Sequence, residues 1–212
     1  MDTKDYLKIL QEEIHSTIVA TVDEEGYPAA RVIDMMLYDE DSLYFLTAKG
    51  KGFYSQLMNK PYVAISGMCG GEGTMNKKAV SIRGKVRCIG SDKLSEIFEK
   101  NPYMAEIYPT KESRVALEVF QVYEGMGEFF DLSVKPIDRD TFILGKSGSE
   151  VKKRKGKYMI NHQCVGCGTC VKKCPQNCIN TNQIPFEINI RNCLHCGNCY
   201  NFCKFGAVER YS

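Results

Sequence analysis

No stretch of this 212-residue chain approaches the roughly 20 consecutive apolar residues of a membrane-spanning helix, so no membrane association is expected. The start, Met1-Asp2-Thr3-Lys4-Asp5, is charged and leads into no apolar signal region, which points to a cytoplasmic protein. Charge of one sign is scarce as well, with a net +2 overall. That near-balance hides an asymmetry: residues 1–146 hold 18 Lys/Arg against 23 Asp/Glu, and residues 147–212 hold 10 against 3. Histidine is rare, and His15, His162 and His195 have no partners at metal-ligand spacing. The glycine-rich Gly67-Met68-Cys69-Gly70-Gly71-Glu72-Gly73 lacks the Gly-Lys-Ser/Thr ending of a nucleotide P-loop and reads as a mobile loop, with the border of a substrate pocket as the alternative.

Cysteine is what the chain has in plenty. Eight of its eleven cysteines fall into two copies of one spacing, Cys164-x2-Cys167-x2-Cys170-x3-Cys174-Pro175 and Cys193-x2-Cys196-x2-Cys199-x3-Cys203. Three thiolates at i, i+3 and i+6 wrap one iron–sulfur cube, while the fourth is carried away to serve the other. The expected ligand sets of two [4Fe–4S] clusters are therefore Cys164, Cys167, Cys170 with Cys203, and Cys193, Cys196, Cys199 with Cys174. The segment resembles a bacterial two-cluster ferredoxin, including a short apolar strand before each motif at Tyr158-Met159-Ile160 and Ile188-Asn189-Ile190. It departs from that pattern at Lys204, where a proline would follow the last ligand.

Disulfides belong to small secreted domains, which this chain does not resemble. Structural zinc uses two separated Cys pairs, whereas here three thiols crowd into seven residues, twice. Of the remaining cysteines, Cys178 reads as a packing residue beside a cluster, and the isolated Cys69 and Cys88 read as small buried apolar side chains. Oxygen-sensitive clusters point to the reducing cytoplasm of an anaerobic prokaryote. Eight thiolates and two cubes of formal charge +2 would add −4 to the C-terminal surplus, leaving about +3, too little to indicate nucleic-acid binding.

Three parts follow: a domain over residues 1–146, a basic linker over 147–157, and a ferredoxin-like domain over 158–212. The first reads as mainly β. Strands are expected at Ser16–Val22, Tyr27–Leu37, Leu43–Thr47, Tyr62–Met68, Ala79–Ile89, Arg114–Val122 and Glu128–Leu132, spaced by short turns as in a barrel or sandwich. Helices are expected at Thr3–His15, Phe53–Asn59 and, after an N-cap at Ser91, Asp92–Lys100. The loop Ala48-Lys49-Gly50-Lys51-Gly52 entering a helix supplies N–H groups and cations suited to a phosphate.

The ordered words Ile18–Val22, Gly26–Val32, Leu43–Lys51, Gln56-Leu57 and Asn59–Val63 resemble the pyridoxamine 5′-phosphate oxidase-like, FMN-binding split barrels. The resemblance implies a split β-barrel homodimer with FMN at the subunit interface. It places Arg31 at the flavin phosphate or ring, the main chain of Val32 and Ile33 along the isoalloxazine, Thr47 and Ala48 at the start of the phosphate loop, and Gln56 in the following helix. Family members often carry a basic residue where this chain has Phe53, so Lys49 or Lys51 is left to meet the phosphate.

Together these readings imply an iron–sulfur flavoprotein oxidoreductase. Clusters move one electron at a time and flavin accepts one or two, which suits reduction of a small electron-poor acceptor with an external ferredoxin or reductase as donor. A non-catalytic electron carrier or a redox-sensing flavin module is the alternative. No acid/base residue for a substrate step stands out, and the basic group Lys77, Lys78, Arg83, Lys85 and Arg87 reads as a solvated face, with recognition of an anionic substrate as the lesser reading.

Overall fold

The computed structural model describes residues 1–145 and 157–211. These form two compact units, and each gathers more than one piece of chain. The first comprises Met1–Gly70, Ala79–Phe129 and the described part of Phe142–Glu150; the second comprises Gly71–Lys78, Phe130–Thr141 and the described part of Val151–Ser212. Residues 147–156 of the expected linker lie outside the described residues.

The first unit opens with α1 (Thr3–Lys8), capped reciprocally by Asp2 and Asp5, and a π-helical continuation Ile9–Ile14. The helix expected over Thr3–His15 is therefore present in two forms, and His15 ends it at φ +59°. Tyr6, Leu7, Ile9 and Leu10 lie on its buried side, with Tyr6 stacked 4.5 Å from Phe142.

The strands are β1 (Ser16–Val22), β2 (Pro28–Asp34), β3 (Leu37–Tyr38), β4 (Leu43–Ala48), β5 (Tyr62–Gly70), β6 (Lys77–Gly90), β7 (Leu117–Asp131) and β8 (Asp138–Leu144). They form one sheet in the order β2-β1-β5-β6-β7-β4-β3, with β8 also on β7. In the β1–β2 hairpin, Val19 pairs with Arg31 and Thr21 with Ala29. Alternation sends Thr17, Val19 and Thr21 to the buried face and Ile18 and Val32 to the outer one. α2 (Gly52–Asn59) follows β4 and packs Phe53 and Leu57 into a core with Phe45 and Phe120. On the other side of β4 and β7, a smaller core joins Tyr44, Leu46, Leu117 and Val119 to Ile97 of α3 (Leu94–Lys100) and to Met104 of α4 (Met104–Ile107).

Several expected boundaries are corrected. The strands foreseen at Arg114–Val122 and Glu128–Leu132 are one continuous β7, and Arg114 belongs instead to α5 (Lys111–Arg114). Gly125 and Gly127, which suggest a break, lie inside that strand. A Cβ on Gly125 would collide with the Arg83 carbonyl oxygen, and one on Gly84 would come within 2.6 Å of that of Glu124, so only glycines let β6 and β7 approach this closely. α3 begins after Lys93 in the left-handed region, two residues beyond the helix start foreseen from a Ser91 cap.

In the second unit, β9 (Tyr158–Ile160) pairs antiparallel with β12 (Val208–Arg210), and β10 (Ile179–Asn180) with β11 (Glu187–Ile188). The second apolar strand thus lies slightly earlier than Ile188–Ile190. Two short helices, α6 (Thr169–Lys173) and α7 (Asn198–Asn201), each start after a left-handed glycine, Gly168 and Gly197. The two halves repeat one another, as the cysteine spacing does. The molecule is mainly β, a half-barrel sheet with helices, together with a small ferredoxin-like unit. No helix among the described residues is long and apolar enough to cross a membrane.

Candidate functional site

In the first unit a polar group is built where β1, β2 and α2 meet. Arg31 Nη2 donates to Gln56 Oε1 at 2.8 Å and its Nη1 to Thr21 Oγ1 at 2.5 Å, while the Thr21 hydroxyl donates to Gln56 Oε1 at 2.6 Å. The guanidinium lies 4.4 Å from the centre of the Phe53 ring. Burial lowers the Arg31 pKa, but a guanidinium remains cationic at any working pH. Of the residues singled out in the sequence, Arg31 and Gln56 are therefore joined directly. Thr21 is the partner that sequence reasoning missed, because its closeness to Gln56 depends on strand register.

Thr47 Oγ1 is buried and has no hydrogen-bond partner among the described residues. Leaving such a hydroxyl unpaired costs about 1–3 kcal/mol, so its persistence favours a ligand group that completes it. Beyond it, Lys51 caps α2 with no side-chain acceptor, and the first N–H groups of this eight-residue helix have no intrahelical partners. A Cβ added at Gly50 or Gly52 would meet nothing within 4 Å, so the loop borders open space. An orphaned hydroxyl, helix N–H groups and open space suit an anion of phosphate size.

The two lysines differ. Lys49 Nζ pairs with Glu118 Oε1 at 2.9 Å, whereas Lys51 has no ion-pair partner among the described residues. Glu118 also accepts from Cys88 Sγ at 2.8 Å and from Tyr54 OH at 3.2 Å. The hydrogen bond from Cys88, then that from Lys49, holds the Glu118 carboxyl below its ordinary pKa. Burial, then the bond to Glu118, raises the Cys88 pKa, so Cys88 is held as an unreactive thiol. Val32 points outward and is 65% exposed, Ile33 packs against the core, and Ala48 sits against the smaller core beside α3.

His15 is no isolated residue. Its Nε2 lies 2.9 Å from Tyr103 OH, which donates to Asp34 Oδ2 at 2.8 Å, and Ser16 Oγ donates to Asp34 Oδ1 at 2.6 Å. Burial pushes the Asp34 pKa up, but the bonds from Ser16 and Tyr103 outweigh it and leave the carboxyl below its ordinary value.

In the second unit two cavities repeat. One is lined by Cys164, Cys167, Cys170 and Cys203; the other by Cys174, Cys193, Cys196 and Cys199. Cys178 lines the second as well, its sulfur 3.4 Å from that of Cys174. Four thiols around one cavity suit a cube that offers one iron to each. Backbone N–H groups already point at two sulfurs, Ala207 to Cys203 at 3.3 Å and His195 to Cys193 at 3.4 Å. Such bonds adjust the electron affinity of a bound cluster.

Comparison with known proteins agrees with both units. The family model described as pyridoxamine 5′-phosphate oxidase matches residues 3–124, and that of the 4Fe-4S dicluster domain matches 151–208. Among solved structures, a NimC/NimA family protein of Clostridium acetobutylicum superposes with a TM-score of 0.54 at 22% identity, over 67% of this chain and 93% of that one. That likeness concerns the fold. The C-terminal part is 32% identical over 53 residues to a protein named Ferredoxin 7Fe of Hydrogenibacillus schlegelii, 24% of this chain and 68% of that ferredoxin. It is also 37% identical over 46 residues to a component of an ion-translocating oxidoreductase complex of Methanosarcina acetivorans, 22% of this chain but only 17% of that component's length. The chain belongs to the pyridoxamine 5′-phosphate oxidase family, and carries a 4Fe-4S dicluster ferredoxin domain after that family's fold.

Proposed function

We propose that this protein is an iron–sulfur flavoprotein oxidoreductase that passes electrons between two [4Fe–4S] clusters and FMN to reduce a small electron-poor acceptor. The observation that supports this most is the pair of cavities, each lined by four of the eight motif cysteines, in a chain of a flavin-type family. On this reading Cys164, Cys167, Cys170 and Cys203 hold one cluster, and Cys193, Cys196, Cys199 and Cys174 the other. The parts are a flavin domain over 1–146, a linker over 147–157 and a ferredoxin domain over 158–212.

Arg31 and Gln56 brace one another beside the flavin, with the main chain of Val32 and Ile33 along its ring system. Thr47 Oγ1, the loop from Ala48 and the first N–H groups of α2 receive the phosphate. Lys51 supplies the charge, and Lys49, engaged by Glu118, holds the loop in place. When bound, the flavin supplies the exchange between one-electron and two-electron chemistry. The outer face of β1, β2 and β5 carries exposed Ile18, Val32 and Met68, and a second copy of the chain covering it would form a homodimer. An external ferredoxin or reductase serves as donor.

Anaerobic purification tests this directly. The expected outcome is close to eight iron, eight sulfide and one FMN per chain. Reduced protein mixed with electron-poor organic acceptors should be reoxidised stoichiometrically, and continuously when donor is supplied. Zinc without sulfide, or protein free of flavin, would overturn the reading. Reoxidation only by protein partners would make the chain an electron carrier.

A further inference from the structure

Between α3, α5 and the start of β7 the first unit holds a cleft of about 490 Å³. Sites for small molecules run from about 300 to 1,000 Å³, so its size suits one. Of the residues read as flavin-binding, Lys49 lines it, whereas Arg31, Thr47, Lys51 and Gln56 do not.

The lining is of two kinds. Leu94 and Phe98 of α3, with Val115 and Leu117 after α5, make an apolar wall, and Val115 is left 73% exposed. Lys49, Lys111 and Arg114 set three cations against one carboxylate, Glu118. That carboxylate is already engaged by Lys49 Nζ at 2.9 Å, Cys88 Sγ at 2.8 Å and Tyr54 OH at 3.2 Å. Lys111 and Arg114 have no ion-pair partner among the described residues, so the cleft keeps a cationic surplus.

Arg114 is held ready. Thr110 and Ser113 exchange bonds of 3.2 Å that fix the start of α5, and the Arg114 guanidinium lies 3.8 Å from the centre of the Phe98 ring. Its Nε donates to the Tyr108 carbonyl at 2.9 Å, while its Nη groups have no acceptor among the described residues. Such a planar fork takes a carboxylate through two parallel bonds, and ordering it beforehand lowers the cost of binding.

We propose that this cleft binds a small organic carboxylate with an apolar body: Arg114 and Lys111 receive the carboxylate, and Leu94, Phe98, Val115 and Leu117 the body. An inorganic anion would leave the apolar wall wet, and a neutral molecule would leave both cations without a counter-charge. Ser91 and Ser95 also line the cleft and offer hydroxyls to polar substituents. The inference rests on the cleft alone and goes beyond the flavin and cluster reading.

The test is isothermal titration of the full-length, anaerobically prepared protein with 2-naphthoate, compared with neutral 2-naphthamide and with inorganic phosphate. One naphthoate per chain is expected, with the amide and phosphate each weaker by about tenfold or more. Arg114→Gln should weaken naphthoate about tenfold and Lys111→Gln somewhat less, with iron and flavin content equal to wild type. Because Arg114 also holds Tyr108 and Phe98, Ser95→Glu provides a second route: Ser95 is exposed on α3, and a carboxylate there would occupy the cations from within and abolish binding. Equal affinity for the amide or for phosphate, naphthoate binding unchanged in Lys111→Gln and Ser95→Glu, or no naphthoate binding at all would overturn the proposal. Release of FMN as naphthoate binds would also overturn it, by putting the ligand in the flavin site. Protein that lacks flavin or iron from the outset, yet binds naphthoate in this pattern, would overturn the proposed function and support the cleft assignment.

Discussion

The two units build their candidate sites in opposite ways. In the second, the candidate ligands at the two cavities are side chains of one residue type at fixed spacing, and six of the eight come from two seven-residue loops. In the first, they come from β1, β2, β4 and α2, and include backbone N–H groups and a hydroxyl that lacks a partner among the described residues. A thiolate–iron site is largely encoded by local sequence, whereas a phosphate site is encoded by the register and approach of distant strands. Substitutions should expose this contrast: single changes in the second unit should remove a cofactor outright, and single changes in the first should only weaken one.

The largest effect is expected from the cysteines. Cys199→Ala should cost one cluster, lowering iron from about eight to about four per chain by colorimetric assay. Cys174→Ala should erase the same spectroscopic signal as Cys199→Ala, although it belongs to the other sequence motif, and Cys203→Ala should erase the signal of the Cys164 loop. A pairing by sequence proximity instead would reverse the ligand sets.

Next comes Arg31→Ala combined with Lys51→Ala. Each charge-assisted bond contributes about 1.5–3 kcal/mol, so FMN affinity measured by fluorescence quenching should fall by two orders of magnitude or more. Lys49→Ala should weaken it less, because Lys49 is engaged by Glu118. Equal losses would mean that both lysines meet the phosphate.

Thr47→Val should act with opposite signs on the two states. Removing a buried, unpartnered hydroxyl should stabilise flavin-free protein by about 1 kcal/mol and weaken FMN binding by a similar amount, read by thermal melts with and without FMN. Destabilisation in both states would show that the hydroxyl serves the fold alone.

The smallest effect concerns acid. Glu118 is held below its ordinary pKa of 4.5 by Cys88 and Lys49, so the unfolded chain takes up a proton where the folded one does not. Its contribution is present above pH 4.5 and is lost as pH falls below that value through the lowered folded pKa. Urea midpoints should show this as a drop of less than about 1 kcal/mol, absent in Glu118→Gln.

Much of this organisation is legible in the sequence. The motif cysteines are visible because their spacing is regular, and β1 coincides with its β-branched run because such side chains favour extended backbone. Arg31, Thr47 and Gln56 are visible only as words in order. That Arg31 grips Gln56, and that Thr47 has no hydrogen-bond partner among the described residues, follow from strand pairing that no local pattern records. β7 is hidden by its glycines, which suggest a turn but in fact permit a crossing with Gly84. His15 and His195 are unremarkable in sequence because their partners, Tyr103 and Arg139, are 88 and 56 residues away. Cys88 is foreseen as an inert thiol, but the acidic partner that keeps it so comes from another strand.

The second unit gathers Gly71–Lys78 and Phe130–Thr141 as well as the C-terminal segment. A chain that had simply acquired a ferredoxin at its end could be parted again by one cut. This one cannot: cleavage between residues 146 and 157 would leave Ile137 and Arg139 on one fragment, and their partners Gln176, Asn192 and His195 on the other. A cut in the linker would therefore leave the C-terminal fragment without the Phe130–Thr141 segment that the second unit gathers.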